Sequence, residues 1–351
     1  MERCISVGQK CIGYDNPPFI IAEMSGNHNH SLERALSIVD AAAEAGVDAV
    51  KLQTYTPDTM TIDLKTDIFC ISDKENLWKG KTLYQLYEEA YTPWEWHEPI
   101  FKKCEELGLV AFSTPFDETA VDFLEQINVP AYKIASFENN HIPLIKKVAK
   151  TGKPMIISTG MASIAEMDEM VKTAREGGCK DIILLKCTST YPATPEESNL
   201  KTIPHLKELF KVQVGLSDHT MGIGVSIASV ALGVTVIEKH FTLSRAEGGI
   251  DAAFSMEPSE MKLLVEESLK AWHSLGTVFY GVSKNEKKST IYKRSIYVVE
   301  DIQSGESLSE KNLKIIRPGD GLEPKFYETV IGKKVSCPLK KGTPLKWEFV
   351  G

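Results

Sequence analysis

The feature that most constrains this chain of 351 residues is an eightfold alternation of short apolar runs with segments that carry apolar residues at helical spacing. Runs rich in Val, Ile, Leu and Ala are typical of strands that are buried on both faces of a parallel sheet. We predict such strands over 18–24, 47–53, 109–114, 131–136, 154–159, 181–188, 212–217 and 234–240. Eight strand–helix units over about 260 residues predict a (β/α)8 TIM barrel. A doubly wound open sheet is the alternative, but it gives no reason for a count of eight.

Helices are predicted between these strands, over 31–45, 92–107, 117–128, 141–151, 163–178, 198–210, 221–233 and 257–275. Two of them begin with the residue spacing of a capping box. Thr92 and Glu95 have this spacing, with Pro93 at the first helical position, and Ser163 and Glu166 have it too.

One connection, 54–91, is a 38-residue insertion after the second predicted strand. It contains Trp78, Tyr84 and Tyr87, and a short helix is predicted over 82–90. Loops of this length in compact domains are usually functional or disordered. The aromatic content favours an ordered lid over the barrel mouth, with a surface excursion of no function as the alternative.

The pattern changes after Gly276. Residues 281–290 are polar and rich in lysine, which predicts a linker between a barrel domain, 1–280, and a small domain, 291–351. The small domain consists of short β-type runs broken by Gly and Pro. About sixty residues form only a marginal core, so we expect this β-rich domain to lean on another surface.

Charge and composition exclude several classes of protein. The chain carries 40 basic against 48 acidic residues, a net charge of −8, so it has no electrostatic footprint for nucleic acid. The longest nearly apolar run, 225–237, is too short to span a membrane, and 1–4 do not read as an export signal. Seven cysteines without a Cys-x-x-Cys pair predict reduced thiols in a cytoplasmic protein, with neither disulfides nor a zinc site.

Polar or ionisable side chains stand at nearly every predicted strand end. In a TIM barrel these ends meet at one mouth. So many buried charges would be unstable without partners, and the pattern therefore predicts a reaction site for an anion and a metal. The residues in question are Glu23, Lys51, Gln53, Ser113, Thr114, Lys133, Ser136, Glu138, Ser158, Lys186, Thr188, Ser217, His219, Glu238 and His240.

The two histidines end neighbouring predicted strands, with carboxylates nearby and no thiolate. His219 and His240 therefore suit a divalent ion such as manganese, magnesium or cobalt that keeps open positions for water.

Two lysines and several hydroxyl groups favour a phosphate or carboxylate ligand. Lys51 and Lys133 supply the positive charge, and a Schiff base on one lysine is the alternative. Glu23 and Glu138 are candidate proton-transfer groups, or they merely neutralise the lysines. Ser136, Ser158 and Ser217 supply the hydroxyl groups.

Eight ordered motifs resemble the sialic acid synthase family over nearly the whole chain. They are IIAEMSGNHN, VKLQTY, FSTPF, YKIASFE, ISTGM, LLKCTSTYP, VGLSDHT and VIEKHF. The segment SIYVVEDIQSGESLSEKNLKIIRPGDGL is similar to the antifreeze-like (SAF) domain that closes those enzymes.

This resemblance implies a condensation of phosphoenolpyruvate with an N-acetylated amino-sugar aldehyde, which gives a nine-carbon ulosonic acid and phosphate by C–O cleavage. It implies that His219 and His240 hold a divalent metal, with manganese expected and magnesium or cobalt as alternatives. It assigns proton handling to Glu23 and Glu138, and phosphoenolpyruvate binding to Lys51, Lys133, Ser136, Ser158, Ser189, Tyr191 and Ser217. Sugar binding falls to Gln53, Asp251 and Arg317, the last from the partner chain of a domain-swapped homodimer.

Within the family, LYQLYEEAYTPWEWH and YKIASFE are more similar to the branch that makes pseudaminic acid than to the branch that makes N-acetylneuraminate. The latter enzymes tend to have Gly where Phe137 stands, and some have Asn where Ser189 stands. A bulky Phe137, with Trp78 and Tyr84, suits the methyl group of a 6-deoxy sugar. The implied acceptor is 2,4-diacetamido-2,4,6-trideoxy-L-altrose.

Other interpretations stay open at this point. N-acetylmannosamine or the legionaminic precursor is the alternative acceptor. A non-catalytic protein that binds ice or glycan, and a metal aldolase that forms a Schiff base, are the alternatives of other classes.

Overall fold

Eight parallel strands, each hydrogen bonded to two neighbours, close into a barrel, which confirms the predicted fold class. The structure is a computed structural model that describes residues 4–73 and 77–351. Residues 1–3 and 74–76 lie outside the described residues. The parts of the export-signal and lid predictions that fall on them therefore lie outside as well. A hairpin of β1 (Ile5–Val7) and β2 (Lys10–Ile12) precedes the barrel. The barrel strands are β3 (Phe19–Glu23), β4 (Ala49–Thr54), β5 (Val110–Pro115), β6 (Tyr132–Ile134), β7 (Met155–Ser158), β8 (Ile182–Cys187), β9 (Gln213–Ser217) and β10 (Val236–His240).

Helices follow the barrel strands as the apolar spacing predicts. They are α1 (Leu32–Ala45), α2 (Pro57–Met60), α3 (Leu83–Ala90), α4 (His97–Glu106), α5 (Glu118–Gln126), α6 (Ile142–Lys150), α7 (Ile164–Glu176), α8 (Thr202–Phe210), α9 (Gly224–Val230), α10 (Pro258–Leu275) and, in the C-terminal part of the chain, α11 (Tyr327–Val330). No helix within the two described ranges is long and apolar enough to cross a membrane.

One of the two predicted capping boxes forms. The Ser163 hydroxyl accepts from the Glu166 amide at the start of α7, and the Glu166 carboxylate accepts from the Ser163 amide. The prediction for Thr92 is wrong, because α4 begins only at His97, after a short 3-10 turn. The buried Thr92 hydroxyl instead lies 3.1 Å from Nε2 of His28, so a tertiary contact replaces the local cap.

The hairpin closes the amino end of the barrel. Ile5, Val7 and Ile12 form one buried cluster with barrel residues such as Phe19 and Phe112. Phe19 begins β3, so the cluster lies at the end of the barrel opposite to the polar strand ends. Burial of these side chains away from water stabilises this end of the barrel as a packed floor.

The prediction that all cysteines are reduced is wrong. Cys4 and Cys11 form a disulfide beside the β1–β2 hairpin, with their Cα atoms 5.8 Å apart. Among the free cysteines, Cys104, Cys179 and Cys187 are buried, as expected for thiols that pack as small apolar groups.

The chain divides into two compact units, Met1–Gly276 and Thr277–Gly351. In the second unit, β11 (Ser295–Val298) pairs antiparallel with β12 (Leu313–Ile316). Its own core holds Ile296, Val298 and Leu313, all fully buried. Part of the predicted linker, from Glu286 on, belongs to a 3-10 helix over Glu286–Tyr292.

Candidate active site

A cavity of about 770 Å³ lies at the carboxyl ends of the barrel strands. Every residue with an assigned catalytic, substrate-binding or metal-binding role lines it except Arg317, and of the other strand-end residues Ser113, Lys186 and Thr188 do not line it. Arg317 is exposed on the second unit, directly after β12. Lys186, one of the polar strand ends, does not line the cavity, because its Nζ donates to the Cys187 carbonyl at 2.8 Å and to the Thr188 hydroxyl at 3.1 Å.

The register of the barrel decides which charges meet. Glu23, the last residue of β3, is paired with Lys51 of β4 on one side and with His240 of β10 on the other. Because side chains alternate between the two faces of a strand, residues that are level with each other across neighbouring strands point the same way. The closed sheet therefore gathers a carboxylate, an ammonium and an imidazole at one level of the barrel interior.

Two buried ammonium groups face the same carboxylate. Lys51 Nζ and Lys133 Nζ each lie 3.8 Å from Oε1 of Glu238, and the Ser217 hydroxyl donates to that oxygen at 3.3 Å. Lys51 also forms an ion pair with Glu23 at 2.6 Å. Burial lowers the pKa of Lys133, whereas for Lys51 the two carboxylates outweigh burial and raise the pKa. Two cations held this way suit a ligand that carries both a phosphate and a carboxylate.

Hydroxyl groups surround this pair of lysines. Lys133 Nζ donates to Ser158 at 2.7 Å, and Ser189 donates to Ser136 at 2.9 Å. Gly160 allows this close packing. Its φ of +45° disfavours any other residue, and a Cβ added at this position would lie only 2.3 Å from the Cβ of Ser136. The hydroxyl groups are therefore fixed by neighbouring backbone and side chains before a ligand arrives.

The two candidate proton-transfer groups differ in how they are held. Burial raises the pKa of Glu138 to about 7, and its Oε2 is buried without a hydrogen-bond partner. Burial also raises the pKa of Glu23 to about 7, against the opposing charge of Lys51, but Gln53 donates to Glu23 Oε1 at 2.9 Å. Glu138 is thus the carboxyl group with an oxygen free to exchange a proton near neutral pH.

A polar network connects the predicted sugar-binding residues to one histidine. Ser25 donates to Asp251 and accepts from Gln53 at 3.2 Å. The same Asp251 oxygen lies 3.6 Å from Nδ1 of His240. Burial raises the pKa of Asp251 to about 6. Ser25 has a φ of +48°, a conformation that is uncommon outside glycine and that marks the turn after β3 as part of the site.

The two histidines lie side by side, with ring centroids 5.4 Å apart. His219 Nδ1 donates to the Thr188 carbonyl at 2.8 Å, and Nδ1 of His240 is buried without a hydrogen bond. Within residues 4–73 and 77–351 no group of three His, Cys, Asp or Glu side chains forms a ready-made metal site. The pair supplies two nitrogen donors on one wall of the cavity, fewer than a metal site built from protein ligands alone uses.

The sequence patterns assigned no role to two residues of this cavity, Glu238 and Cys187. Glu238 was recognised as a strand end but not as the anion between the lysines, although its spacing of two from His240 puts both on one face. The expectation of no thiolate near the histidines overlooked Cys187, which lines the same cavity and interacts with His219. Burial opposes ionisation, but His219 and Lys133 lower the pKa of Cys187 to about 7.

The insertion supplies part of the cavity wall. Trp78 Nε1 donates to the Ile250 carbonyl at 2.9 Å, and its ring centroid lies 6.4 Å from that of Tyr191. Phe137 also lines the cavity and is 56% exposed. Tyr84, in contrast, does not line it and donates to Asp58 at 3.2 Å, so its expected role beside the sugar is wrong.

Comparison with known proteins gives two family matches. The NeuB family profile matches residues 38–280, and the SAF domain profile matches 293–350. The pseudaminic acid synthase of Campylobacter jejuni is 45% identical over 332 residues, which cover 95% of this chain and 96% of that protein. The pseudaminic acid synthase of Helicobacter pylori is 44% identical, with coverage of 94% and 96%.

A relative with a different name is less similar. The N,N'-diacetyllegionaminic acid synthase of Campylobacter jejuni is 36% identical over 90% of this chain and 94% of its own length. The crystal structure of the Bacillus subtilis spore coat polysaccharide biosynthesis protein SpsE superimposes with a TM-score of 0.68, at 34% identity and 99% coverage of both chains.

The raised pKa of Glu138 makes stability depend on pH. The folded protein keeps the proton up to about pH 7, whereas the unfolded chain loses it near 4.5, so the free energy of unfolding falls as pH rises between these values. Glu138→Gln removes this dependence and should gain about 3 kcal/mol relative to the wild type between about pH 4.5 and pH 8. Urea unfolding at pH 4.5 and pH 8 measures this difference in the free energy of unfolding, with Glu169→Gln on the exposed face of α7 as the control. Equal pH dependence in wild type and Glu138→Gln would contradict the prediction.

Proposed function

Because this chain belongs to the NeuB family, we propose that it joins phosphoenolpyruvate to 2,4-diacetamido-2,4,6-trideoxy-L-altrose and so makes pseudaminic acid and phosphate. The observation that carries this proposal is the near full-length similarity to curated pseudaminic acid synthases, which exceeds the similarity to the legionaminic enzyme of the same organism. The barrel cavity supports it with the cations, hydroxyl groups and carboxyl groups that this reaction needs.

The reaction balances with one water. C3 of phosphoenolpyruvate forms a bond to the aldehyde carbon of the open-chain sugar, water adds at C2, and phosphate leaves with cleavage of its C2–O bond. In this proposal Lys51 and Lys133 bind the phosphate and carboxylate groups, and Ser158, already hydrogen bonded to Lys133, helps to orient them. Ser136, Ser189, Tyr191 and Ser217 complete the same subsite.

Protons move through the two glutamates. Glu138, with its unpartnered oxygen and a pKa of about 7, can donate a proton to the sugar oxygen and accept one from the attacking water. Glu23 holds Lys51 and, through Gln53, contacts the sugar-binding network of Asp251. Glu23 thus orients both substrates, and its own raised pKa allows it to share in proton transfer.

We propose a divalent metal, manganese before magnesium or cobalt, at His219 and His240. When bound there, it polarises the carbonyl oxygen of the acceptor sugar. Nδ1 of buried His240 makes no hydrogen bond, which supports an additional ligand at this point. A manganese titration of the metal-free protein should show one site per chain that His219→Ala abolishes, and unchanged binding in that variant would overturn the assignment.

We propose a homodimer in which Arg317 reaches the sugar site of the partner. Residues 277–351 carry 14 basic and 9 acidic side chains, whereas the rest of the chain is strongly acidic, so the two units have complementary charge. Val278 and Tyr280 are at least 90% exposed in the single chain, as expected for apolar residues that a second copy covers. Sedimentation should give twice the mass of the chain, and Arg317→Ala should raise the KM for the sugar without unfolding the barrel.

We propose that the enzyme acts in the cytoplasm, because phosphoenolpyruvate is produced there. We expect its product to become a precursor of surface polysaccharide after further steps. This expectation agrees with the carbohydrate biosynthesis proteins among its relatives.

The acceptor is tested by phosphate release from phosphoenolpyruvate with manganese. We expect a strong preference for 2,4-diacetamido-2,4,6-trideoxy-L-altrose over N-acetylmannosamine and over the legionaminic precursor, with the product identified by mass spectrometry. A preference for either of the other sugars would move the protein to another branch of the family. Absence of phosphate release with all three would favour a non-catalytic binding protein, and borohydride trapping of substrate on a lysine would favour the Schiff-base aldolase.

Phe137 is proposed to discriminate between acceptors. It lines the cavity next to Glu138 and can pack against a 6-methyl group, where a hydroxymethyl group would be poorly solvated. Phe137→Gly should reduce the preference for the 6-deoxy sugar by about 10-fold or more in kcat/KM. Phe116→Leu, in the same cavity but on another strand end, is the matched control. Retention of the full preference in Phe137→Gly would show that another residue selects the sugar.

A further inference from the structure

A buried ion pair lies directly behind the two histidines. Asp218 and Lys239 immediately precede His219 and His240 in sequence, and their side chains are each 1% exposed. The Lys239 Nζ and Asp218 Oδ2 atoms are 3.1 Å apart. Because side chains alternate along a strand, the histidines point into the cavity and the ion pair points outward, between the barrel and its helices.

Every polar group of this pair has a partner. Lys239 Nζ also donates to the carbonyls of Thr220 at 2.6 Å and Gly222 at 3.0 Å. Asp218 accepts from the Thr220 amide at 2.9 Å and from Ser226 of α9 at 2.6 Å. Lys239, on β10, thereby holds the segment that follows β9, and that segment carries His219.

The neighbouring outward-facing positions of the same two strands are apolar. The outward-facing neighbours in the same strands, Leu216 of β9 and Ile237 of β10, belong to the main hydrophobic core. A buried ion pair at such a place is rarely more stabilising than well-packed apolar side chains, because desolvation of the charges offsets their attraction. Stability therefore does not explain Lys239 and Asp218. Their contacts support another explanation, which is that they fix the position of the segment after β9 relative to β10.

We propose that the Asp218–Lys239 ion pair is a positioning device that holds His219 and His240 at the separation needed to bind one metal ion. Neither side chain touches the cavity, so both residues act through the histidines that follow them. This inference rests on the proposed metal site. The inference goes beyond the proposed metal site, because it assigns the geometry of that site to an ion pair between the barrel and the helices.

The test compares manganese affinity with stability in the full-length protein. Asp218→Asn and Lys239→Met should weaken manganese binding, followed by the electron paramagnetic resonance signal of free manganese, by about 10- to 100-fold. Phosphoenolpyruvate binding to the metal-free protein should stay within about 2-fold of the wild type, because Lys51 and Lys133 lie on other strands. A merely structural role predicts loss of thermal stability with unchanged manganese affinity in the protein that remains folded.

A matched control lies at the other end of the barrel. Asp48 pairs with Lys10 at 3.0 Å and accepts from the Ile20 amide at 2.9 Å, just before β4. Asp48→Asn makes the same chemical change far from the histidines, so it should leave manganese affinity unchanged even where it lowers the melting temperature. An equal loss of manganese affinity in Asp48→Asn would overturn the proposal.

A double variant keeps the test informative if a single variant fails to fold. Asp218→Leu with Lys239→Met removes both charges and leaves no unpaired one, so it should fold, with a loss of stability from the hydrogen bonds that the Thr220 amide and the Ser226 hydroxyl no longer make. We expect it to bind manganese weakly. Wild-type affinity in this double variant would refute the positioning role, whereas absence of manganese binding in the wild type itself would instead refute the metal site.

Discussion

The pairing register of the closed barrel is the constraint on which the rest of the structure depends. A parallel strand presents alternate side chains inward and outward, and closure of eight strands brings their carboxyl ends together. The level at which Glu23 meets Lys51 and His240 is therefore set by backbone hydrogen bonds and not by the charges themselves. A slip of one residue in β10 would exchange His240 with Lys239 and place an ammonium where an imidazole belongs.

Within this frame the buried charges stabilise one another. Glu238 lies between Lys51 and Lys133 at equal distances, and so screens two ammonium groups that would otherwise repel each other in a region with little water. The arrangement holds the two lysine side chains close together on the wall of the cavity. Oε2 of Glu138 and Oε2 of Glu238 are buried without a hydrogen-bond partner, and both residues line the cavity, so a substrate with donor groups can satisfy them.

Most of the fold could be predicted because it follows from repeated local patterns. The strands and the helices around them, including the short α3 inside the insertion, lie within a few residues of the ranges that periodicity indicates. The strand ends also indicated the cavity, since strand order and alternation suffice to place Lys51, Lys133 and His219 at one mouth. Strand order and alternation do not predict the position of Arg317, because this residue belongs to a separate unit.

The failures have tertiary causes. Thr92 has the sequence of a cap, but its hydroxyl pairs with His28, 64 residues away. Cys4 and Cys11 come together only when the short hairpin forms, and spacing alone does not indicate that pairing. Lys186 shows that a polar strand end can turn back on its own backbone and never reach the cavity.

The packed floor made by the β1–β2 hairpin closes the amino end of the barrel, and the cavity lies at the opposite end, where the strands end. Lys133, which is 2% exposed, and Phe137, which is 56% exposed, both line this cavity. They stand four residues apart at the end of β6, so one strand end carries a buried ammonium group and an exposed aromatic ring. A displacement of this strand would therefore move the charge and the ring together.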